Sequence, residues 1–294
     1  MNYILYPGER NYRCYSGQVN NKLSFVYIIC IFLLGASQSS MAQNISKIQT
    51  KSIKAPVNIK IDGKINDWNN RFEAYNKSTG FFYSIANDDN NLYLIIQAVD
   101  PLIEKKILRA GVTVSLRGFE QGKNWFKLTF PLLDEDMASG IGVYLSEDNL
   151  KEIKNGEKKG ADSLLKLMNN RLALYANKIG ASGTVLLEDS VISIYNDKGI
   201  RAAALFDNKA ALTYEIAIPL KYLPGSADAG IDYDIKSNGI FTHVKVRMLD
   251  PNANPNTAGM VVIGSSITGK TTSDIQVLNS DTDFSGKYQL AKGN

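Results

Sequence analysis

The sequence predicts an all-β protein: a two-sheet antiparallel β-sandwich with a short helix and one helical insertion. Short runs of apolar, β-branched and aromatic residues recur from Ala55 onward, separated by Asn, Asp and Gly. About ten such runs without an internal repeat of fixed period are typical of a sandwich or a barrel. Because the chain has 294 residues, we expect one large β domain over residues 55–294.

Residues 1–42 have the layout of a secretory signal peptide. Lys22 precedes the apolar run 25–34, and Ser40 and Ala42 are small residues suited to the −3 and −1 positions of a cleavage site. The run is too short to span a bilayer, which takes about 20 residues. We therefore predict cleavage after Ala42, export, and no transmembrane segment in the mature chain. The long, tyrosine-rich stretch before Lys22 indicates a start site assigned too early.

The positions of the cysteines bear on the compartment in which the protein resides. Cys14 and Cys30 both lie in the predicted leader, so the mature chain has no disulfide. The residues before Cys30 are not those of a lipobox, so we expect no lipid anchor. A chain of this size has a core large enough to fold without disulfides. An exported protein of this composition is predicted to reside in a bacterial periplasm or outside the cell.

The net charge argues against a nucleic-acid partner. The formal charge of the whole chain is +4, and the predicted leader carries part of the excess through Arg10, Arg13 and Lys22. Nucleic-acid binding requires clustered lysines and arginines. We therefore predict no nucleic-acid partner.

Most of the predicted elements along the chain are β-strands. Residues 43–54 are polar and predict a linker, and 57–61 alternate with period two before a turn at Asp62-Gly63. The runs 81–86 and 92–99, joined by Asn and Asp residues, predict a central hairpin. A short helix is predicted over 101–109, and a helical insertion near 151–170. Further strands are predicted at 112–116, 125–130, 171–176, 184–187, 191–195, 200–206, 212–218, 241–248 and 260–263.

Four segments in this order resemble the family 9 carbohydrate-binding modules, which overlap with DOMON-type sandwiches. They are Ile61–Trp68 at the first strand and turn, Asn87–Leu94 at the central hairpin, Tyr214–Leu220 at a late strand and Phe284–Leu290 at the closing strand. The resemblance is closest to uncharacterised exported bacterial members. It implies a β-sandwich and non-catalytic saccharide binding.

The chain departs from this family pattern in its aromatic residues. Sugar-binding members hold a sugar between two tryptophans, whereas the mature chain has only Trp68 and Trp125. The position before the central turn, often aromatic in such modules, is Ala86. The two-tryptophan clamp is therefore not transferred to this chain.

Saccharide recognition needs an aromatic face for the sugar ring and polar groups for its hydroxyls. Our candidates for this role are Trp125, Phe81 and Tyr83, with Asn124 and Arg117 as polar neighbours. Phe81 and Tyr83 are two residues apart and project to one sheet face. The alternative is that all three aromatic residues pack in the core, and we expect Trp68 to have such a structural role.

Cofactor chemistry has few candidates. Asp88 and Asp89 form one of several acidic turns that would suit calcium, but none has the spacing of a known calcium loop. Haem would need His243, the single histidine, which is predicted on a polar strand face. We expect no cofactor, with structural calcium as the alternative.

Glu215 is the most informative carboxylate. Period two places it opposite Tyr214 and Ile216, and a charge on a covered face requires a partner. We predict an ion pair with Arg247 or Arg109 and a structural role.

Two hypotheses for function follow, with no catalytic residue assigned. The first is non-catalytic binding of a saccharide or cell-envelope glycan, which requires an exposed aromatic side chain among amides. The second is a structural or partner-binding envelope protein, which would have a buried Trp125. A glycan-active enzyme, with two converging carboxylates, and a haem protein are further alternatives.

Overall fold

The described part of the chain contains eleven strands in two antiparallel sheets, which confirms the predicted β-sandwich. The five-stranded sheet has the order β1-β2-β3-β9-β8, and the six-stranded sheet has the order β11-β10-β4-β5-β6-β7. The strands are β1 (Ala74–Asn76), β2 (Phe81–Asn87), β3 (Asn91–Ala98), β4 (Val112–Gly118), β5 (Phe126–Phe130), β6 (Lys178–Ser182), β7 (Val191–Ser193), β8 (Arg201–Phe206), β9 (Leu212–Pro219), β10 (Ile231–Ser237) and β11 (Thr282–Tyr288).

The computed structural model describes residues 45–118, 120, 124–133, 147–156, 159–183, 187, 190–225, 229–240 and 272–292. Residues from Ile45 onward form one compact unit. The predicted leader, the strands predicted at 241–248 and 260–263, and both His243 and Arg247 lie outside the described residues. Residues 184–186 of the strand predicted at 184–187 lie outside them as well.

The main core lies between the two sheets. Strand alternation turns one face of each sheet inward, and aromatic side chains from the two sheets meet there. The hydroxyls of Tyr83 and Tyr233 are 3.1 Å apart, and the ring centroids of Phe130 and Tyr214 are 5.5 Å apart. The predicted central hairpin is confirmed, with Phe81 paired to Ala98 across β2 and β3.

A second, smaller core covers the outer face of the five-stranded sheet. Trp68 packs there against Ala86, Tyr93, Ile95 and Ala217, and it lies in a 3₁₀ helix that spans Ile65–Trp68. The chain segment before β1 therefore acts as a cover for this sheet. As a result, both faces of the five-stranded sheet are buried, whereas the outer face of the six-stranded sheet carries polar side chains.

Residues 45–54, predicted as a linker, are hydrogen bonded to the sandwich. Strand β1 has only three residues, so it leaves the backbone groups of Ile85 and Asn87 on the edge of β2 without partners. The Gln49 amide donates to the carbonyl of Ile85 and accepts from its N–H, at 2.8 and 2.7 Å. Asn87 donates to Ile53 and accepts from Ala55. These bonds complete the sheet edge.

Four α-helices accompany the described strands: α1 (Pro101–Ala110), α2 (Glu147–Lys154), α3 (Ala161–Tyr175) and α4 (Thr272–Asn279). The predicted helix at Pro101 is confirmed, and Asp100 caps it by accepting a hydrogen bond from the N–H of Leu102. The predicted helical insertion consists of two helices, α2 and α3. No described helix has the length and apolar character needed to cross a bilayer.

Two predicted strands are wrong. Residues 171–175 continue helix α3 and Ala176 caps it, because Leu165, Met168 and Leu172 form one buried helical face. Residues 57–61 form a turn followed by irregular backbone: Ile59 donates to the carbonyl of Pro56, and Asn58 has φ 62°. Asparagine tolerates that left-handed conformation better than most residues, and the alternation of apolar residues concealed the turn.

Candidate functional site

Trp125 directly precedes strand β5, whose side chains alternate between the core and the outer face of the sheet. Phe126, Leu128 and Phe130 point into the core, so Lys127 and Thr129 point away from it. Trp125 has the same parity as Lys127 and is half-buried. The indole therefore belongs to the outer face of the six-stranded sheet.

An open depression of about 340 Å³ lies beside this indole. Its lining comes from the start of β5 and the end of β6, because Lys127 pairs with Ser182 in the sheet. The lining residues are Asn124, Trp125, Lys127, Ser182 and Gly183. The depression therefore combines an aromatic ring, an amide, a hydroxyl and an ammonium group.

The polar groups around the depression are free to bind a ligand. The side chains of Asn124, Lys127 and Ser182 are exposed, and none of them hydrogen bonds to another described residue. The indole N–H of Trp125 likewise has no acceptor among the described residues. By contrast, the indole N–H of Trp68 is bonded to Glu215.

Arg117 fixes the orientation of the Trp125 ring from outside the depression. Its guanidinium carbon lies 4.7 Å from the ring centroid, within the range of a cation–π contact. One guanidinium nitrogen also binds Asp232 at 2.7 Å, and Lys287 approaches the same carboxylate at 3.9 Å. Lys287, Asp232, Arg117 and Trp125 therefore form a row across β11, β10, β4 and the start of β5. The charge of Arg117 is already balanced by Asp232.

Gly183 makes the depression by bringing two chain segments together. Its φ is +89°, and a Cβ atom there would clash with the carbonyl oxygen of Trp125. Both the backbone conformation and the close approach therefore require glycine.

Replacing Gly183 by alanine is expected to destabilise the protein by about 2–3 kcal/mol, through the positive φ and the clash with Trp125. Gly156→Ala is the matched control, because Gly156 has φ +73° with no atom within 4 Å of the added Cβ. Thermal unfolding of both variants measures the difference. Equal losses would show that the contact with Trp125 contributes nothing.

Two of the predicted aromatic candidates do not belong to this site. Phe81 and Tyr83 are fully buried in the main core, and Tyr83 packs against Phe284. Their parity was predicted correctly, but the face they share is the one between the sheets. Of the five predicted ligand-binding residues, the structure brings together Trp125, Asn124 and Arg117.

Lys127, Ser182 and Gly183 were missed in the sequence. The period-two spacing from Trp125 to Lys127 was a usable signal for the first of them. The other two lie at the end of β6 and directly after it, about 55 residues later, and no local pattern in the sequence links that strand to Trp125.

The acidic turn at Asp88 is occupied by bonds within the protein. The Asp88 carboxylate accepts hydrogen bonds from the N–H groups of Asn90 and Asn91 and from the Tyr93 hydroxyl, at 2.7 Å each. These bonds lower the pKa of Asp88, although burial acts in the opposite direction. Asp89 forms an ion pair with Lys54. In the described part of the chain, no group of three acidic, histidine or cysteine side chains is placed to hold a metal ion.

Glu215 is buried, and its partners among the described residues are two backbone N–H groups and an indole. The predicted partner Arg247 lies outside the described residues. One carboxylate oxygen accepts from the N–H groups of Asp62 and Gly63, at 2.9 and 2.7 Å. The other accepts from the Trp68 indole at 2.7 Å. Arg109, the other predicted partner, is not among the groups that bind this carboxylate. Burial raises the pKa of Glu215 to about 7, and the three donors oppose that rise.

A second buried acid lies on helix α1. Glu104 is fully buried and binds the ammonium group of Lys154 at 2.7 Å. Burial raises its pKa to about 7, and Lys154 opposes the rise. Neither Glu104 nor Glu215 lines the depression beside Trp125.

Comparison of the chain with protein families, with curated proteins and with solved structures finds no match.

Proposed function

We propose that the protein is a non-catalytic saccharide-binding module of an exported bacterial protein, and that it holds its ligand at the depression beside Trp125. The observation that supports this proposal is a half-buried indole surrounded by polar groups that have no partner in the described residues. The apolar face of a sugar ring stacks on such an indole, and amide and hydroxyl groups bind its hydroxyls.

The depression suits a short stretch of saccharide better than a buried small molecule. Its volume of about 340 Å³ is at the lower end of the range for ligand pockets, and it is open to solvent. An open site on the outer face of a sheet allows a longer glycan to extend beyond it on either side. The alternative, a partner-binding protein without a sugar site, requires a buried Trp125.

Replacing Trp125 by alanine is expected to lower the affinity for the bound saccharide by about tenfold or more, because the stacking surface is lost. Affinity electrophoresis of the purified protein through gels that contain soluble polysaccharides would identify the ligand, and calorimetry would give the affinity. Tyr195→Ala is the matched control, because Tyr195 is 84% exposed and does not line the depression.

Circular dichroism of both variants would verify that they fold. Retardation that persists in the Trp125 variant would place the ligand elsewhere on the protein. If no polysaccharide retards the protein, saccharide binding is excluded for the panel and the partner-binding hypothesis takes its place.

A further inference from the structure

The charged side chains of the six-stranded sheet are distributed unevenly over its outer face. Strands β4, β5, β6 and β7 contain no acidic residue, whereas they carry Arg117, Lys127 and Lys178. The acidic residues of this sheet, Asp232, Asp234 and Asp283, lie on β10 and β11. The strands in the half of the face that contains Trp125 therefore carry basic and no acidic side chains.

Among these basic residues, Lys127 is the one without a partner in the described part of the chain, since Lys178 also has an interaction partner. Arg117 is paired with Asp232 at 2.7 Å, so little of its charge is left for a ligand. Lys127 lines the depression, is exposed, and has no ion-pair or hydrogen-bond partner among the described residues. Its ammonium group and the Trp125 ring border the same depression.

We infer that the saccharide bound at this depression is anionic, and that Lys127 binds its carboxylate or sulfate group. This inference rests on the proposed function, since Trp125 supplies the surface for the sugar ring. An ammonium group next to an aromatic ring recognises a sugar that presents an acidic substituent at the edge of its apolar face. A neutral sugar would offer that ammonium group only hydroxyl oxygens, which bind it more weakly than a carboxylate or sulfate does.

The test compares polysaccharides that differ only in charge. Polygalacturonate and its methyl ester form one pair, which probes the carboxylate; dextran sulfate and dextran form the other, which probes the sulfate. We expect the protein to bind at least one charged member about tenfold more tightly than its neutral counterpart, and to lose affinity as ionic strength rises.

Variants at Lys127 distinguish a specific contact from general attraction. Lys127→Gln is expected to remove the preference for the charged polysaccharide, and Lys127→Arg to retain it. Lys209→Gln is the control, because Lys209 is an exposed lysine on a turn outside the depression. Binding of the charged polysaccharide should be unchanged in that control and reduced in Trp125→Ala.

The outcomes separate this inference from the proposed function. Equal binding of charged and neutral members, dependent on Trp125 and unaffected by Lys127→Gln, would overturn the inference and leave saccharide binding in place. If the affinity for the charged polysaccharide falls equally in Lys209→Gln and Lys127→Gln, the preference reflects non-specific electrostatic attraction. That result would also overturn the inference. If neither charged nor neutral polysaccharide binds, both proposals fail.

Discussion

Replacing Trp68 by alanine is expected to lower the free energy of unfolding by about 3–5 kcal/mol, the cost typical of removing a large buried aromatic side chain. Trp68 is 6% exposed and lies at the centre of the second core, where it packs on the outer face of the five-stranded sheet. Its removal also takes away one of the three donors that stabilise the buried carboxylate of Glu215.

The carboxylate connects the covering segment to the sheet. Glu215 projects from β9, and its three donors all belong to residues 62–68. The turn at Gly63 approaches β8 so closely that a Cβ atom would lie 2.7 Å from that of Leu205. Hydrogen bonds to a charged group are stronger than neutral ones, so this contact holds the segment in a single position on the sheet.

A double-mutant cycle separates packing from hydrogen bonding. Trp68→Phe keeps a ring but removes the donor, and we expect a loss of about 1–3 kcal/mol. Glu215→Gln keeps the shape but brings an amide N–H towards the Trp68 indole N–H, so two donors face each other. In the double variant that conflict disappears, and its loss should be smaller than the sum of the single losses. Chemical denaturation gives all four values, and strict additivity would show that the two side chains are not coupled.

The pKa of Glu215 gives this contact a pH dependence. Its folded value is about 7 and its ordinary value is 4.5, so the folded protein holds the proton more tightly. The stability that this group contributes is complete below about pH 4.5 and is lost as the pH rises through 7. The difference between the two pKa values corresponds to roughly 3 kcal/mol in the free energy of unfolding. Glu104 acts in the same direction.

The sequence allowed prediction of the fold class more readily than of the contacts between distant segments. The hairpin of β2 and β3 and helix α1 are local, and their turn and capping residues are visible in the sequence. The partner of Glu215 is not local: period two predicts that the carboxylate is buried, but the donors lie about 150 residues earlier. The indole and the backbone N–H groups are the partners of this charge among the described residues, which do not include Arg247.

It was equally hard to predict from the sequence which face of the sheet an aromatic side chain occupies. Phe81, Phe82 and Tyr83 are consecutive, so alternation places the middle ring opposite the other two. Because both faces of the five-stranded sheet are covered, hydrophobicity does not distinguish them: Phe82 packs against Tyr75 outside while Tyr83 lies between the sheets. Trp125 differs from these residues, because it precedes a strand of the sheet whose outer face stays polar, and it is half-buried there.

Replacing Lys154 by methionine is expected to destabilise the protein by about 3–5 kcal/mol at pH 8, because it leaves the charge of Glu104 buried without a partner. Lys154 donates to the Glu104 carboxylate at 2.7 Å and to the carbonyl of Val99 at 2.6 Å. It therefore joins helix α2 to helix α1 and to the end of β3. Lys151→Met is the matched control, because Lys151 is exposed on the same helix.

The loss should shrink at acidic pH. Burial already raises the pKa of Glu104 to about 7 with Lys154 present, and without that lysine the carboxyl takes up a proton at still higher pH. At pH 5 the protonated acid carries no charge, so the cost of the missing ammonium group falls to lost hydrogen bonds and packing. Glu104→Gln in the Lys154→Met background should recover part of the stability at pH 8. Denaturant unfolding at both pH values measures these differences, and a loss of equal size at pH 5 and pH 8 would mean that packing, and not charge, explains it.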